Sequence, residues 1–214
     1  VTRLFTEIMS QCRALEAPLM VAYLGPEGTF TEAAALKRFG SAIQGQSCAT
    51  IDDVFRAVES GAAHYGVVPV ENYTEGAVSR TLDMLMQSPL QICGEVNLPV
   101  HHNLMCLKTD LKAIRRVYSH SQSLAQCQEW LARNLPGVEC EAVASNAEAA
   151  RLASTALGVR TDRVPAAITS LRAGELSGLK LLAENIEDDP RNTTRFLVIG
   201  KQEVAPSGRD KTSL

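Results

Sequence analysis

The chain has 214 residues, 45% hydrophobic and 21% charged, with a net charge of −3, a composition ordinary for a soluble globular protein of one large or two small domains. Scattered basic residues and only 5% aromatics leave no electrostatic footprint for nucleic acid or an anionic membrane surface. The six cysteines (Cys12, Cys48, Cys93, Cys106, Cys127 and Cys140) include no CxxC pair and no Cys/His cluster at metal spacing, so neither a zinc site nor another metal site is expected. No apolar run reaches membrane-spanning length and the N-terminus lacks a signal-peptide pattern, which reads as a cytoplasmic protein with reduced thiols.

Val1, Leu4, Phe5, Ile8, Cys12 and Leu15 recur at spacings of three and four, which predicts an amphipathic helix in need of a partner, broken at Ala17-Pro18. It begins without an initiator methionine or a capping residue, the pattern of a segment cut from a longer polypeptide. Leu19 to Leu24 reads as a buried strand and Gly25-Pro26-Glu27-Gly28 as a turn. Thr29 and Glu32 form a capping-box pair for a helix from Thr31 to Phe39, stopped by Gly40. Such a helix start aims free backbone amides past the strand end, a setting for an anion such as a carboxylate, although a plain strand-to-helix turn explains the same residues. Neither GxGxxG nor a Walker pattern is present, so a dinucleotide or ATP site lacks its fingerprint.

Asp52 or Asp53 is the expected cap of a helix through Val54, Phe55, Ala57 and Val58, ended by Gly61, and Tyr65 to Val70 is the next buried strand. That strand runs into Glu71-Asn72-Tyr73-Thr74-Glu75-Gly76, polar groups gathered where open α/β sheets place ligands. Glu71 and Asn72 are taken as site residues and Glu75 as a first-turn charge on the helix that follows. Residues 90–107 read as extended chain crossing between lobes. His101 and His102 are adjacent within it and so face opposite sides of a strand, which argues against both holding one ion.

A second set of units follows. Arg116-Val117-Tyr118 ends at Ser119-His120-Ser121-Gln122-Ser123, before a helix from about Leu124 to Arg133. Ser121 or Ser123 is the expected cap, and His120 is placed near the ligand, a loop-orienting surface histidine being the alternative. Val138 to Val143 alternates as a strand, and Ser145-Asn146-Ala147-Glu148 is a capping box opening a helix to about Leu157. A strand at Ala166 to Thr169, a short helix at Leu171 to Leu176 and extended chain at Leu179 to Ala183 lead into an acidic loop. That loop delivers Asn192-Thr193-Thr194-Arg195-Phe196 to the head of the apolar run Leu197-Val198-Ile199. Thr194 offers a proton donor, and Arg195 a planar guanidinium fork suited to a carboxylate. Residues 205–211 read as linker, and Thr212-Ser213-Leu214 as the start of something new. Two alternating sets, with the last strand arriving after the second, predict two α/β lobes closing on a small anion.

Gly25-Pro26-Glu27-Gly28-Thr29-Phe30, Pro69-Val70-Glu71-Asn72, Ser119-His120 and Asn192-Thr193-Thr194-Arg195-Phe196 together resemble the prephenate dehydratases in order, spacing and number, over about residues 20–203. The resemblance implies a two-lobed, periplasmic-binding-protein-like (type II) α/β fold with the active site in the inter-lobe cleft. It also implies the cofactor-free conversion of prephenate to phenylpyruvate, water and carbon dioxide in phenylalanine biosynthesis, a carbon–oxygen lyase reaction. Residues 1–18 are similar to the last helix of a chorismate mutase domain, and 205–214 to the linker and start of an ACT regulatory domain. Between them, 19–204 would be the dehydratase, one lobe about 19–99 and 186–204 and the other about 100–185. The chain would then be the dehydratase portion of a bifunctional protein, homo-oligomeric at full length, acting on prephenate and on no nucleic acid or membrane.

Residue by residue, the resemblance makes Thr194 the catalytic residue, giving a proton to the leaving hydroxyl, and Arg195 the clamp on a carboxylate, with Glu71, if burial kept it protonated, as the rival acid. It sets Thr29, Asn72, Ser119, His120 and Ser145 around the substrate, capping being the alternative for Thr29, Ser119 and Ser145, and has Phe196 pack the cleft floor. Tyr73, Ser121 and Asn146 depart from the family pattern, standing where a small hydroxyl residue, a proline and a threonine are usual. A non-catalytic binder of a small acid, and an arogenate dehydratase whose substrate carries an ammonium in place of the keto group, are the alternatives.

Overall fold

The computed structural model describes residues 2–108, 110–155, 164–203, 205 and 208. The predicted continuation of a helix to Leu157 and nearly all of the segment 205–214 lie outside them. Helix α1 (Thr2–Glu16) precedes a unit of β1 (Met20–Leu24), α2 (Phe30–Phe39), β2 (Gln44–Cys48), α3 (Ile51–Glu59), β3 (Tyr65–Asn72), the two-residue β4 (Gly76–Ala77), α4 (Ser79–Gln87) and β5 (Gln91–Pro99). The chain then crosses into β6 (Asn103–Cys106), β7 (Ile114–His120), α5 (Ser121–Gln126), α6 (Gln128–Asn134), β8 (Glu139–Val143), α7 (Asn146–Ser154), β9 (Val164–Thr169), α8 (Leu171–Leu176) and β10 (Lys180–Ala183), and returns as β11 (Thr193–Gly200).

Two sheets result, β2-β1-β3-β11-β5 with β4 on β3, and β10-β6-β9-β7-β8. In each, three parallel strands of one lobe flank an antiparallel strand next to the crossing segments: β11 lies against β3 and β6 against β9. This shared order is that of the type II two-lobed fold. Period-two alternation covers both faces of each sheet. On β11, Phe196 and Val198 pack toward α2 with Val21, Tyr23 and Val67, whereas Leu197 and Ile199 pack toward α3 with Val54, Phe55 and Val58. In the second sheet, Leu104, Cys106 and Ile168 share a core with α5 and α6, and Met105 and Ala167 one with α7 and α8.

Several local expectations shift. The cap of α3 is Thr50, not Asp52 or Asp53: its hydroxyl accepts from Asp53 N at 3.1 Å and donates to the Asp53 carboxylate at 2.7 Å. The helix expected from Leu124 to Arg133 is two helices. Cys127 breaks it with φ −120° and ψ 17°, and Asp188 accepts from Glu129 N and Trp130 N at 3.0 and 3.1 Å to start α6. His120, rather than Ser121 or Ser123, caps α5 through Nδ1. Strand β2 escaped the sequence reading because Gln44-Gly45-Gln46-Ser47-Cys48 is a polar, largely exposed edge without alternation.

Candidate active site

The carboxyl ends of β1, β3, β7 and β8 converge between the sheets on a cavity of about 400 Å³. Helices α2 and α7 point their N-termini into it, capped by Thr29 and Ser145, which accept from Glu32 N and Glu148 N at 3.4 and 3.0 Å. Each cap holds its helix start in place, a contribution of about 1 kcal/mol, and leaves first-turn residues Phe30 and Thr31 on one wall and Asn146 and Ala147 on the other. Opposed helix N-termini bring partial positive charge from backbone dipoles to the cavity, against which stands the Glu75 carboxylate in the same lining. No Lys or Arg is among the described residues lining it.

Thr29, Asn72, His120, Ser145, Thr194 and Phe196 all line this cavity. Ser119 does not: it is fully buried behind it, its hydroxyl 2.8 Å from Ile168 O and 2.9 Å from Asn146 Oδ1. Arg195 and Glu71 do not line it either, and the sheet gives the reason. Thr194 pairs with Asn72 and Arg195 with Glu71 across the β11–β3 ladder, so successive pairs face opposite sides. Thr194 and Asn72 face the cleft, and Arg195 turns away to meet Glu95 on β5 at 2.9 Å. The expected carboxylate clamp at Arg195 and rival acid at Glu71 therefore stand outside the cavity. Glu75 differs as well: α4 starts only at Ser79, and Glu75 instead crosses the cleft, accepting from Gln122 Nε2 at 2.9 Å.

Around Thr194 the side chains form a ring of amides. Asn72 Nδ2 donates to Asn192 Oδ1 at 3.0 Å, Asn192 Nδ2 to Gln126 Oε1 at 2.9 Å, Gln126 Nε2 to Thr74 Oγ1 at 2.8 Å, and Thr74 Oγ1 back to Asn72 Oδ1 at 2.7 Å. The second Asn72 amide proton goes to Thr194 Oγ1 at 2.7 Å. Thr194 is therefore an acceptor from Asn72, and its own proton is left for a ligand. Gln126 belongs to the second sheet's lobe and the other ring members to the first, so the ring closes across the cleft. His102 Nε2 lies 2.8 Å from Gln126 Oε1. Burial holds the His102 imidazole below its usual pKa, against the raising effects of Gln126 and Glu187.

The opposite rim is tied by Glu32 of α2, which takes a guanidinium fork from Arg172 of α8 at 3.0 and 2.8 Å and the Gly28 amide at 2.7 Å, while Ser170 Oγ donates to Gly28 O at 2.8 Å. Gly28, at φ +86°, has space only for hydrogen there: a Cβ would stand 2.8 Å from Ala173 Cα. Sequence reasoning gave no site role to Gln126, His102, Arg172 or Asn192. Among the described residues no group of three His, Cys, Asp or Glu could hold a metal ion, and no helix is long and apolar enough to cross a membrane.

Two α/β lobes meeting at a small polar cavity, with two helix N-termini on its walls and one threonine hydroxyl presented to it, have the geometry of an inter-lobe ligand cleft. The chain belongs to the prephenate dehydratase family, whose model matches residues 21–204. It is 56% identical to a bifunctional chorismate mutase/prephenate dehydratase of Pseudomonas aeruginosa, over all of this chain and 57% of the relative. Against the protein of the same description from Neisseria gonorrhoeae it is 54% identical, over all of this chain and 58% of the relative. The chain thus spans somewhat over half the length of these relatives. Among solved structures, the prephenate dehydratase of Arthrobacter aurescens in complex with L-Phe superposes with a TM-score of 0.77 at 31% identity, covering 91% of this chain and 63% of that one.

Proposed function

We propose that this chain is a prephenate dehydratase, acting without a metal or organic cofactor. The observation that carries the reading is the 2.7 Å contact from Asn72 Nδ2 to Thr194 Oγ1 inside the closed cleft. In the reaction the bond between the ring and its carboxylate breaks, carbon dioxide leaves, and the electron pair moves into the ring. The ring hydroxyl departs with one added proton as water, leaving aromatic phenylpyruvate. The dianion plus one proton thus gives a monoanion, carbon dioxide and water. Much of the driving force belongs to aromatisation, and the protein's tasks are to fix one substrate geometry and to meet the departing oxygen with a proton.

Thr194 hydrogen-bonds to that oxygen and relays the proton it needs, taking one up from solvent as it gives one and so ending neutral. A threonine hydroxyl is a very weak acid in water, but a donor on its oxygen polarises its O–H bond, and the buried site strengthens the bond it makes to a developing hydroxide. Placed acid catalysis of this kind contributes about 10²- to 10⁴-fold. The two substrate carboxylates sit at the N-termini of α2 and α7, with His120 beside them and Phe196 beneath. Arg195, through Glu95, holds the β11 backbone that presents Thr194. The protein works in the cytoplasm. The outward apolar face of α1, where Phe5 is 59% and Leu15 88% exposed, is the docking face of a preceding mutase-like domain, and the full-length protein is a homo-oligomer.

The test is to follow phenylpyruvate absorbance from prephenate with wild type and Thr194→Val. Wild type forms product well above spontaneous decomposition, and Thr194→Val, equal in shape but lacking the hydroxyl, loses at least about 10²-fold in kcat. A wild type at the background rate sinks the enzyme reading, and an unimpaired Thr194→Val sinks the assignment of the acid.

A further inference from the structure

His102 is 2% exposed and sits on the segment linking the sheets, its ring edge-on to Phe30 at 6.0 Å and its Nε2 on Gln126 Oε1. Gln126 Oε1 already accepts from Asn192 Nδ2. An amide oxygen only accepts, so His102 Nε2 carries the proton and Nδ1 is a bare acceptor. Nδ1 has no hydrogen-bond partner among the described residues, and a bare acceptor is the form of imidazole nitrogen that leaves no buried N–H unpaired.

Asn and Gln amides are nearly symmetric in shape, so a ring of them can run either way unless something outside it breaks the tie. At Asn72 the tie is broken by backbone: Thr74 N and Glu75 N donate to Oδ1 at 3.0 and 3.2 Å. At Gln126, on the other lobe, two groups hold the same direction: the His102 N–H on Oε1 at 2.8 Å and the Glu75 carboxylate, which accepts from Nε2 at 3.5 Å. A reversed Gln126 would turn its NH₂ against both the His102 N–H and the Asn192 NH₂, donor against donor. It would also present its oxygen to Thr74, whose proton is committed to Asn72.

We propose that His102 is a positioning residue for the dehydratase reaction: its Nε2–H fixes the Gln126 amide across the cleft, and through Asn192 and Asn72 keeps the Thr194 proton directed at the substrate. The proposal rests on the dehydratase reading. It makes closure of the lobes and arming of the acid one event, because the amide that His102 orients is the one the second lobe contributes. His102 itself touches no reacting atom.

The test combines prephenate turnover and thermal melting of wild type, His102→Phe and His102→Gln with ¹⁵N NMR of the wild-type imidazole. His102→Phe keeps a ring against Phe30 and removes the donor; its kcat falls about 10- to 100-fold while KM moves less than about 3-fold, the pattern of lost alignment rather than lost binding. His102→Gln, whose amide nitrogen reaches the Nε2 position, recovers kcat to within about 5-fold of wild type. The NMR spectrum shows the neutral Nε2–H tautomer. A His102→Phe protein that melts like wild type with full kcat overturns the proposal, as does an Nδ1–H tautomer. Wild type without turnover would instead refute the dehydratase reading, and the tautomer would still decide whether His102 orients Gln126.

Discussion

Neutralising Glu32 tests whether the rim opposite the amide ring holds the cleft shut. The Glu32 carboxylate is 5% exposed and receives Arg172 Nε at 3.0 Å, Arg172 Nη2 at 2.8 Å and Gly28 N at 2.7 Å. Two unit charges at this range attract by about 4 kcal/mol in surroundings of intermediate polarity. The Arg172 side chain is 42% exposed, however, so water recovers much of its solvation when the pair parts. The coupling therefore falls between the fractions of a kcal/mol of surface pairs and the 3–5 kcal/mol lost on breaking buried ones, at about 1–2 kcal/mol. Since α2 and α8 belong to different sheets, that energy favours the closed cleft by about 5- to 30-fold. Glu32→Gln, Arg172→Met and the double variant should be compared by denaturant unfolding and by steady-state kinetics. The expected result is a coupling of about 1–2 kcal/mol, with KM raised by up to the closure factor and kcat changed much less. Single-variant effects that add within about 0.5 kcal/mol, with KM unchanged, would show that the pair contributes nothing to closure.

Gly28→Ala places a methyl 2.8 Å from the Ala173 backbone at φ +86°; it should cost about 1–3 kcal/mol of stability and raise KM, and a melting temperature equal to wild type would refute the tight packing of this rim. Asn72→Asp exchanges the donor facing Thr194 for an acceptor, which draws the threonine proton away from the substrate; kcat should fall about 10²-fold or more, and near-normal turnover would remove Asn72 from the mechanism. Burial raises the Glu187 carboxyl, but hydrogen bonds from His101 and from the His102 amide outweigh it and leave the group below its ordinary value of 4.5. A lowered carboxylate stabilises the fold above its unfolded pKa and loses that contribution as pH falls through the folded one. Wild type should therefore melt above Glu187→Gln at pH 6–7, and the gap should close as pH falls through the lowered carboxyl pKa, beneath its ordinary value of 4.5; a gap independent of pH would refute the assignment.

How much of this was legible in the chain depends on the range of the interaction. Thr29 with Glu32 and Ser145 with Glu148 lie three residues apart, and both helix starts could be read before any fold was known. Thr194 and Asn72 could be placed at strand ends, and they line one cavity. Which face each strand residue takes could not be read, because β11 alternates in register with β3 across more than a hundred residues; this is how Arg195 and Glu71 came to point away from the cleft. Gln126 carries no local mark. It is one polar residue beside buried Cys127 and gains a role only because helix α5 ends there, against Asn192 from the far end of the chain. His102 looked like half of an uninformative pair; its burial and its contact with Gln126 separate it from His101, which meets Glu187 instead.

The charge balance of the cleft follows from the reaction proposed for it. The substrate would enter with two carboxylates and leave as a monoanion and a neutral gas, so an attraction scaled to two full charges would hold the product as well. Helix N-termini supply only about half a charge each, the Glu75 carboxylate in the lining opposes them, and Arg172, at the rim, is committed to Glu32 rather than to the cavity. Binding therefore has to come from enclosure, with the amide ring on one rim and the Glu32 latch on the other, and not from any single strong contact. The same logic accounts for a hydroxyl as the acid. A carboxylic acid in that position would be ionised near neutrality unless deeply buried, and once ionised it would repel the substrate. Thr194 is neutral before and after the step, offers one O–H to the departing oxygen, and takes its orientation from Asn72.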